Sequence, residues 1–306
     1  MLAPLSTRGS GLEAHTERGQ DEWVSEQVTF DLRRPGIRTF PTFGCRRLRF
    51  MNVRLREALS TPDGKRRYTR SVFSTIAGGY DLANVLLSFN RDRSWKRRMI
   101  ARARVEPGEA TLDIACGTGD ISLLLAARGA RVIGLDITPE MIERARAKAG
   151  RQCPAASGPG NLQFLVGDML WLPFPDRTFS LVTTGYGVRN VPDLVQSLRE
   201  VWRVLRPGGR FFSLDFDRPP NPVVRAAYLA YLSVVGSALG WTMYRKPDTY
   251  RYIPETVRAY PGAAAVVSLL RSAGFEHASC EPVFGGLMAL HRAVKEAGPD
   301  ASSGRS

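Results

Sequence analysis

The stretch Leu112-Asp113-Ile114-Ala115-Cys116-Gly117-Thr118-Gly119-Asp120 decides the fold. Its first part reads as a short buried strand, Thr111–Ala115. Its second part is a glycine turn, where a ligand can come close to the backbone. The helix expected next, Ile121–Arg128, presents free N–H groups at its start. Strand, tight turn and helix in that order place a ligand at the carboxyl end of a parallel sheet. A dinucleotide fingerprint needs a third glycine three residues after Gly119. That place holds Ser122, which argues against a nicotinamide cofactor.

Outward from the turn the rhythm repeats. Arg131–Asp136, Leu162–Val166, Ser180–Thr184 and Arg210–Asp215 are short β-branched or aromatic runs. Pro139–Lys148 and Leu194–Leu205 lie between them with helical spacing, and Pro139 suits a first helical turn. Such alternation predicts an α/β fold with a doubly wound, mostly parallel sheet of seven strands. Ala278–Val283 and Leu287–Val294, joined by Phe284-Gly285-Gly286, read as a closing antiparallel hairpin. Apolar residues from Arg66 to Arg104 recur as in helices, so helices precede the first strand.

The ends read differently. Residues 1–50 are rich in Gly, Ser, Thr, Pro and Arg with no sustained apolar period, so disorder is expected over an extension of residues 1–60. Met51 reads naturally as a start, which predicts that the first fifty residues come from a misplaced start codon; the intact mass of the native protein tests this. One catalytic domain is expected over 61–296, with a helical lid at about 220–256 and a disordered tail over 297–306.

The chain carries 43% apolar and 24% charged residues and a net charge of +14. Residues 51–104 hold 13 Lys and Arg against four acids, a patch suited to anionic lipid or nucleic acid. Cys45, Cys116, Cys153 and Cys280 lack metal-ligand or CxxC spacing, so neither a disulfide frame nor a metal is expected. No signal peptide or clear membrane span is read. The location expected is cytoplasmic, at most peripheral at the inner face of a membrane.

The strand ends name a ligand. Asp136 closes the second strand, 17 residues after Gly119, where a carboxylate can accept both ribose hydroxyls. Asp168 closes the third, where it can take an adenine amine while Met169 covers the ring. Asp113 either orders the turn or meets the ligand's amino group. An acid, a glycine turn (Gly117, Thr118, Gly119) and two further acids, with no lysine in the loop, suit S-adenosylmethionine, which carries a sulfonium and no phosphate.

Beyond the loop the sequence resembles the ubiquinone/menaquinone C-methyltransferase family, from about Tyr68 to Lys295. The resemblance rests on Tyr80-Asp81-Leu82-Ala83-Asn84, Leu172-Pro173-Phe174-Pro175-Asp176, Tyr186-Gly187-Val188-Arg189-Asn190, Tyr250-Arg251-Tyr252-Ile253-Pro254-Glu255 and Ala289-Leu290-His291-Arg292. It implies methyl transfer to a ring carbon of a prenylated quinol, with Thr118, Asp136, Asp168 and Met169 as cofactor contacts. The chain departs from the family at Gly185, where a serine is usual, and at Asp215, where a glutamate is usual. The segment Trp241–Lys246 departs too.

Methylation at such a carbon needs alignment and loss of a hydroxyl proton. Arg189 is expected to stabilise the ionised hydroxyl or to polarise a water, with Asn190 orienting it. His291 is a candidate base by pKa, or a structural histidine. Tyr80 and Asp81 would close over the methionine end, and Tyr250, Tyr252 and Asp215 would serve the acceptor. The apolar run Ala226–Trp241 reads as a lid over the prenyl tail or as a dimer-forming helix, and the basic segment as facing anionic headgroups. A nucleic-acid acceptor is disfavoured, because Thr184-Gly185-Tyr186-Gly187 stands where an Asn/Asp-Pro-Pro-aromatic motif belongs. Another phenolic acceptor, or a non-catalytic scaffold that binds the cofactor, stays open.

Overall fold

The computed structural model describes residues 61–152 and 161–297. The expectations for residues 1–60, for Met51 and for the tail after 297 lie outside the described residues.

The strands are β1 (Ala110–Ile114), β2 (Arg131–Asp136), β3 (Leu162–Val166), β4 (Phe179–Gly185), β5 (Leu205–Phe216), β6 (Phe275–Val283) and β7 (Met288–Lys295). They form one sheet in the order β3-β2-β1-β4-β5-β7-β6. Strands β1 to β5 pair in parallel. Strand β7 runs antiparallel to both β5 and β6, as the closing hairpin required. The order reverses between β1 and β4, so the chain leaves these neighbours in opposite directions and a crevice opens at their carboxyl ends.

Strand β5 starts earlier than its apolar pattern implies. Leu205 already pairs with Phe179, and the Pro207-Gly208-Gly209 turn is a bulge before Arg210 pairs with Leu181. Alternation along β5 then builds two cores. Phe211 joins Leu112, Val201 and Val266 on one side, and Phe212 joins Met99, Leu125 and Leu232 on the other.

Among the described residues three helices precede the sheet: α1 (Pro62–Ile76), α2 (Tyr80–Leu87) and α3 (Asp92–Ala103). Helix α1 begins with Thr61 accepting the Gly64 N–H and with Pro62 in the first turn. It is tied to the mouth of the crevice by Lys65 Nζ, which donates to the Val191 carbonyl at 2.6 Å. Helices α4 (Asp120–Ala126), α5 (Pro139–Gln152) and α6 (Leu194–Val204) are the crossovers. Helix α7 (Pro222–Tyr244) follows β5, capped by Asn221 on the N–H groups of Val223 and Val224. After it the chain folds back through a turn at Pro247–Tyr250 into α8 (Tyr252–Ala259) and α9 (Ala263–Ser272). That return depends on Gly240, where a Cβ would sit 2.5 Å from the Lys246 carbonyl oxygen.

Candidate active site

A cleft lies at the carboxyl ends of β1, β2 and β4. Its first wall is the glycine turn. Ala115, Gly117 and Gly119 all take positive φ, at 49°, 55° and 84°, and Tyr80 from α2 lies over Gly117. Asp136 joins this turn to the next strand end. One carboxylate oxygen accepts the Gly117 N–H and the other accepts the Thr138 N–H, each at 2.9 Å. Burial pushes the Asp136 carboxyl up, and those N–H groups oppose it. Asp168 and Met169 line the same cleft from the turn after β3. Asp168 Oδ1 accepts the Leu170 N–H at 2.9 Å. Its Oδ2 lies 2.7 Å from the Arg66 guanidinium of α1.

The second wall follows β4. Tyr186 has φ +62°, a strained setting for an aromatic residue, and it lines the cleft. Its carbonyl accepts from Arg189 Nη1 at 3.1 Å and from Asn190 Nδ2 at 2.9 Å. Gly187 lets this turn lie against the β1 turn, because a Cβ there would meet Ala115 Cβ at 2.8 Å and Thr184 Oγ1 at 2.6 Å. Arg189 is sealed under this wall. Its Nη1 donates to Asp215 Oδ1 at 2.5 Å, and its backbone N–H donates to Asp215 Oδ2 at 3.0 Å. The guanidinium also lies over the Phe216 ring at 4.5 Å. Burial disfavours the Arg189 charge, but Asp215 outweighs it and the net direction is up. Arg189 Nε is buried with no acceptor among the described residues.

A chain of charges backs the first wall from outside the cleft. Thr118 Oγ1 donates to Asp81 Oδ1 at 2.6 Å. Lys148 Nζ reaches Thr118 Oγ1, Asp120 Oδ1 and Asp81 Oδ2 at 3.0, 2.7 and 2.6 Å. Lys96 Nζ then bridges Asp120 Oδ2 and Asp92 Oδ2 at 2.9 and 2.7 Å. Asp92 Oδ1 accepts from the Tyr186 hydroxyl at 2.6 Å, which closes the chain onto the second wall. Burial pushes Asp120 up, but Lys96 and Lys148 outweigh it and hold the carboxyl down at about 2.

These residues suit a sulfonium ligand. Among the described residues that line the cleft, Arg66 is the one lysine or arginine, and Asp136 and Asp168 are the acids. Asp168 Oδ2 is buried, and although Arg66 is near, no donor is aligned on it for a hydrogen bond. An amine that takes that oxygen competes with the Arg66 ion pair.

Residues 62–295 match the ubiE/COQ5 methyltransferase family. The chain belongs to this family. A ubiquinone/menaquinone biosynthesis C-methyltransferase UbiE of Edwardsiella ictaluri is 38% identical over 231 residues, covering 73% of this chain and 89% of its own length. A demethylmenaquinone methyltransferase of Thermus thermophilus is 42% identical over 206 residues, covering 67% and 91%. Among solved structures, a SAM-dependent methyltransferase of Thermotoga maritima, described as a possible histamine N-methyltransferase, superposes with a TM-score of 0.53 at 17% identity. The match covers 74% of this chain and all of that one, and it shows the fold. The chain is thus a methyltransferase of the family, and S-adenosylmethionine is the donor the family implies.

The cleft gathers Gly117, Asp136, Asp168, Met169, Tyr80 and Asn190 on its walls. Other expected site residues stand behind them. Asp113 is fully buried in β1, where the hydroxyls of Ser122 and Thr183 donate to its carboxylate at 2.6 and 2.9 Å. It does not line the cleft, and burial pushes its carboxyl up to about 7. Thr118 faces the external charges, and Gly119 packs towards Phe164. Arg189 and Asp215 sit under the second wall as one ion pair. Asp193, nearer in sequence to Arg189, caps α6 by accepting the Gln196 N–H.

Tyr250 and Tyr252 are core residues under α7 and α1 and are not on the cleft wall. His291 does not line the cleft either. It is fully buried in β7 between Ser213 and Cys280, with Nε2 at 3.3 Å from the Ala263 carbonyl, and burial lowers its pKa. Sequence reasoning missed Tyr186, Lys96, Lys148 and Arg66 as parts of the site. A tyrosine between two glycines at a strand end was a usable signal for Tyr186. The two lysines gave none, because their partners come from other segments. At Gly185 the usual serine would crowd Ile121, whose Cδ1 lies 2.6 Å from where a Cβ would be.

Proposed function

We propose that this chain methylates a ring carbon of a prenylated quinol; its relatives are named for C-methylation in ubiquinone/menaquinone biosynthesis and for methylation of demethylmenaquinone. The observation that carries the reading is one cleft with the cofactor acids on one wall and the Tyr186–Asn190 turn on the other.

S-adenosylmethionine supplies an electrophilic methyl group on its sulfonium. Asp136 holds the ribose hydroxyls, Asp168 the adenine amine, and Tyr80 covers the glycine turn. Alignment by such fixed walls offsets about 7–11 kcal/mol of a two-body barrier. Tyr186 and Asn190 offer a flat ring and an amide edge to the quinol. Arg189 is the fixed cation beneath them and favours the ionised hydroxyl that makes the neighbouring carbon nucleophilic. Because the side chain is sealed, it acts on the acceptor through its charge and not by direct contact. Asp215 keeps that cation charged and in place. His291 acts structurally in this scheme. Helix α7 serves as the lid over the tail, and the enzyme works at an anionic membrane surface on a lipid-soluble acceptor, not on nucleic acid.

The test is transfer of labelled methyl from S-adenosylmethionine to demethylmenaquinol and to the demethylated benzoquinol, run side by side. Turnover of either is expected. Tight cofactor binding with no transfer to either would overturn the quinol reading.

A further inference from the structure

Helix α7 has two unlike sides. Tyr228, Leu232, Gly236 and Gly240 are buried in the domain. Tyr228 stacks near Phe216, and Phe216 contacts Tyr186 on the cleft wall. The opposite side is exposed and holds no polar group over most of its length: Val223, Ala227, Ala230, Val234, Ala238 and Trp241 follow helical spacing. Val223 is 74% exposed, Val234 69% and Trp241 54%. A surface helix of a soluble protein puts charges there. No charged residue lies between Arg225 and Arg245.

The bare stripe continues sideways. Tyr231 stacks on Phe89 at 4.6 Å and donates to the Leu86 carbonyl. Leu82 and Leu86 of α2 and Phe89 beyond it are about half exposed. Basic groups border this surface: Arg91 and Arg93 after Phe89, and Arg245 and Lys246 at the end of α7, all exposed. Among the described residues none of these four forms an ion pair, and Arg245 lies over the Trp241 ring at 6.0 Å.

We propose that the outer face of α7, with Leu82, Leu86 and Phe89 beside it, docks flat on an anionic lipid bilayer. An apolar stripe edged by free arginines and an aromatic residue matches an acyl boundary below negative headgroups. Helix α7 is long and apolar enough to cross a membrane by length and composition. Its inner side is committed to the domain core, so it lies on the bilayer and does not span it. A second copy of the chain would leave the bordering cations facing each other across the contact. The proposal rests on the quinol reading for why the lipid is approached. The contact itself stands on the surface and needs no particular path for the tail.

The test is co-sedimentation of the full chain with phosphatidylcholine vesicles, with and without phosphatidylglycerol. Val234→Glu/Ala238→Glu alters the stripe, and Arg91→Glu/Arg93→Glu alters the border. We expect binding that needs phosphatidylglycerol, and a loss of about tenfold or more for either variant. Cofactor affinity and thermal midpoint should stay unchanged, since none of these residues lines the cleft. Three outcomes overturn the proposal: no binding by the wild type, equal binding by the stripe variant, or a lipid-free dimer that the stripe variant disperses. Vesicle binding requires no turnover, so failure here is distinguishable from failure of the quinol assay.

Discussion

Two sets of charges support the two walls of the cleft, and they are built differently. The set behind the glycine turn is long and partly wet: Asp81, Lys148, Asp120, Lys96 and Asp92 alternate in sign, and the side chains of Asp120 and Asp81 are 30% and 48% exposed. The set beneath Tyr186 is a single dry pair, Arg189 and Asp215. A wet chain shares its load, because each lysine meets two or more oxygens and water reaches its ends. A dry pair has no substitute for either partner. The first wall should therefore tolerate change in small steps, and the second should fail at once.

The sharpest way to break this contrast is Arg189→Met. It leaves Asp215 buried with its charge unmatched, and a loss of about 3–5 kcal/mol in unfolding free energy is expected. Arg189→Met/Asp215→Leu should recover most of that stability but not turnover, since the cation beneath the acceptor wall is gone. Urea denaturation of the two variants decides it. Equal stability of Arg189→Met and wild type would mean the pair is not dry and the contrast is false.

The wet chain predicts a pH dependence of smaller size. Asp120 is held at about 2 against an ordinary value of 3.8. A carboxyl depressed on folding contributes stability that is present above the unfolded pKa and is lost as pH falls through the folded one. The shift corresponds to about 2 kcal/mol, reduced towards about 1 kcal/mol by partial exposure. Asp120→Asn should therefore be less stable than wild type at pH 6, and the gap should narrow as pH falls below about 4 towards about 2. A gap that stays constant from pH 6 to pH 3 would show that Lys96 and Lys148 do not hold the charge of Asp120.

The same difference explains what the sequence could reveal. The first wall is made of short-range pieces: a glycine turn, then an acid at each of the next two strand ends. Each piece is visible locally, and strand order places them together. The doubly wound sheet and its closing hairpin were legible for the same reason, because period-two runs and turn residues are local signals. The second wall draws on three separated segments. Arg189 finds Asp215 across 26 residues, and the Tyr186 hydroxyl finds Asp92 across 94. No periodicity marks such partners, so Arg189 stood out in the sequence while its burial did not. His291 and Tyr250 look functional in the sequence for the same reason. Their types suit chemistry, but the strand register and the Gly236–Gly240 contact that bury them are properties of the assembled fold.

Tyr186 belongs to both sets, with its hydroxyl on Asp92 and its carbonyl on Arg189 and Asn190. Tyr186→Phe cuts the first link and leaves the second. Asp92 keeps Lys96, so the buried carboxylate stays paired and the loss should be only about 1 kcal/mol, the size of one hydrogen bond. Cofactor affinity should hold, since Asp136 and Asp168 are untouched. Turnover reports what the link is for. If the wet chain only braces the fold, the rate stays within about threefold of wild type, less than the 1.4 kcal/mol that separates a tenfold change. If the chain also sets the tilt of the Tyr186 ring against the acceptor, turnover falls about tenfold or more while stability changes no further. The two charge sets would then act on the acceptor as one.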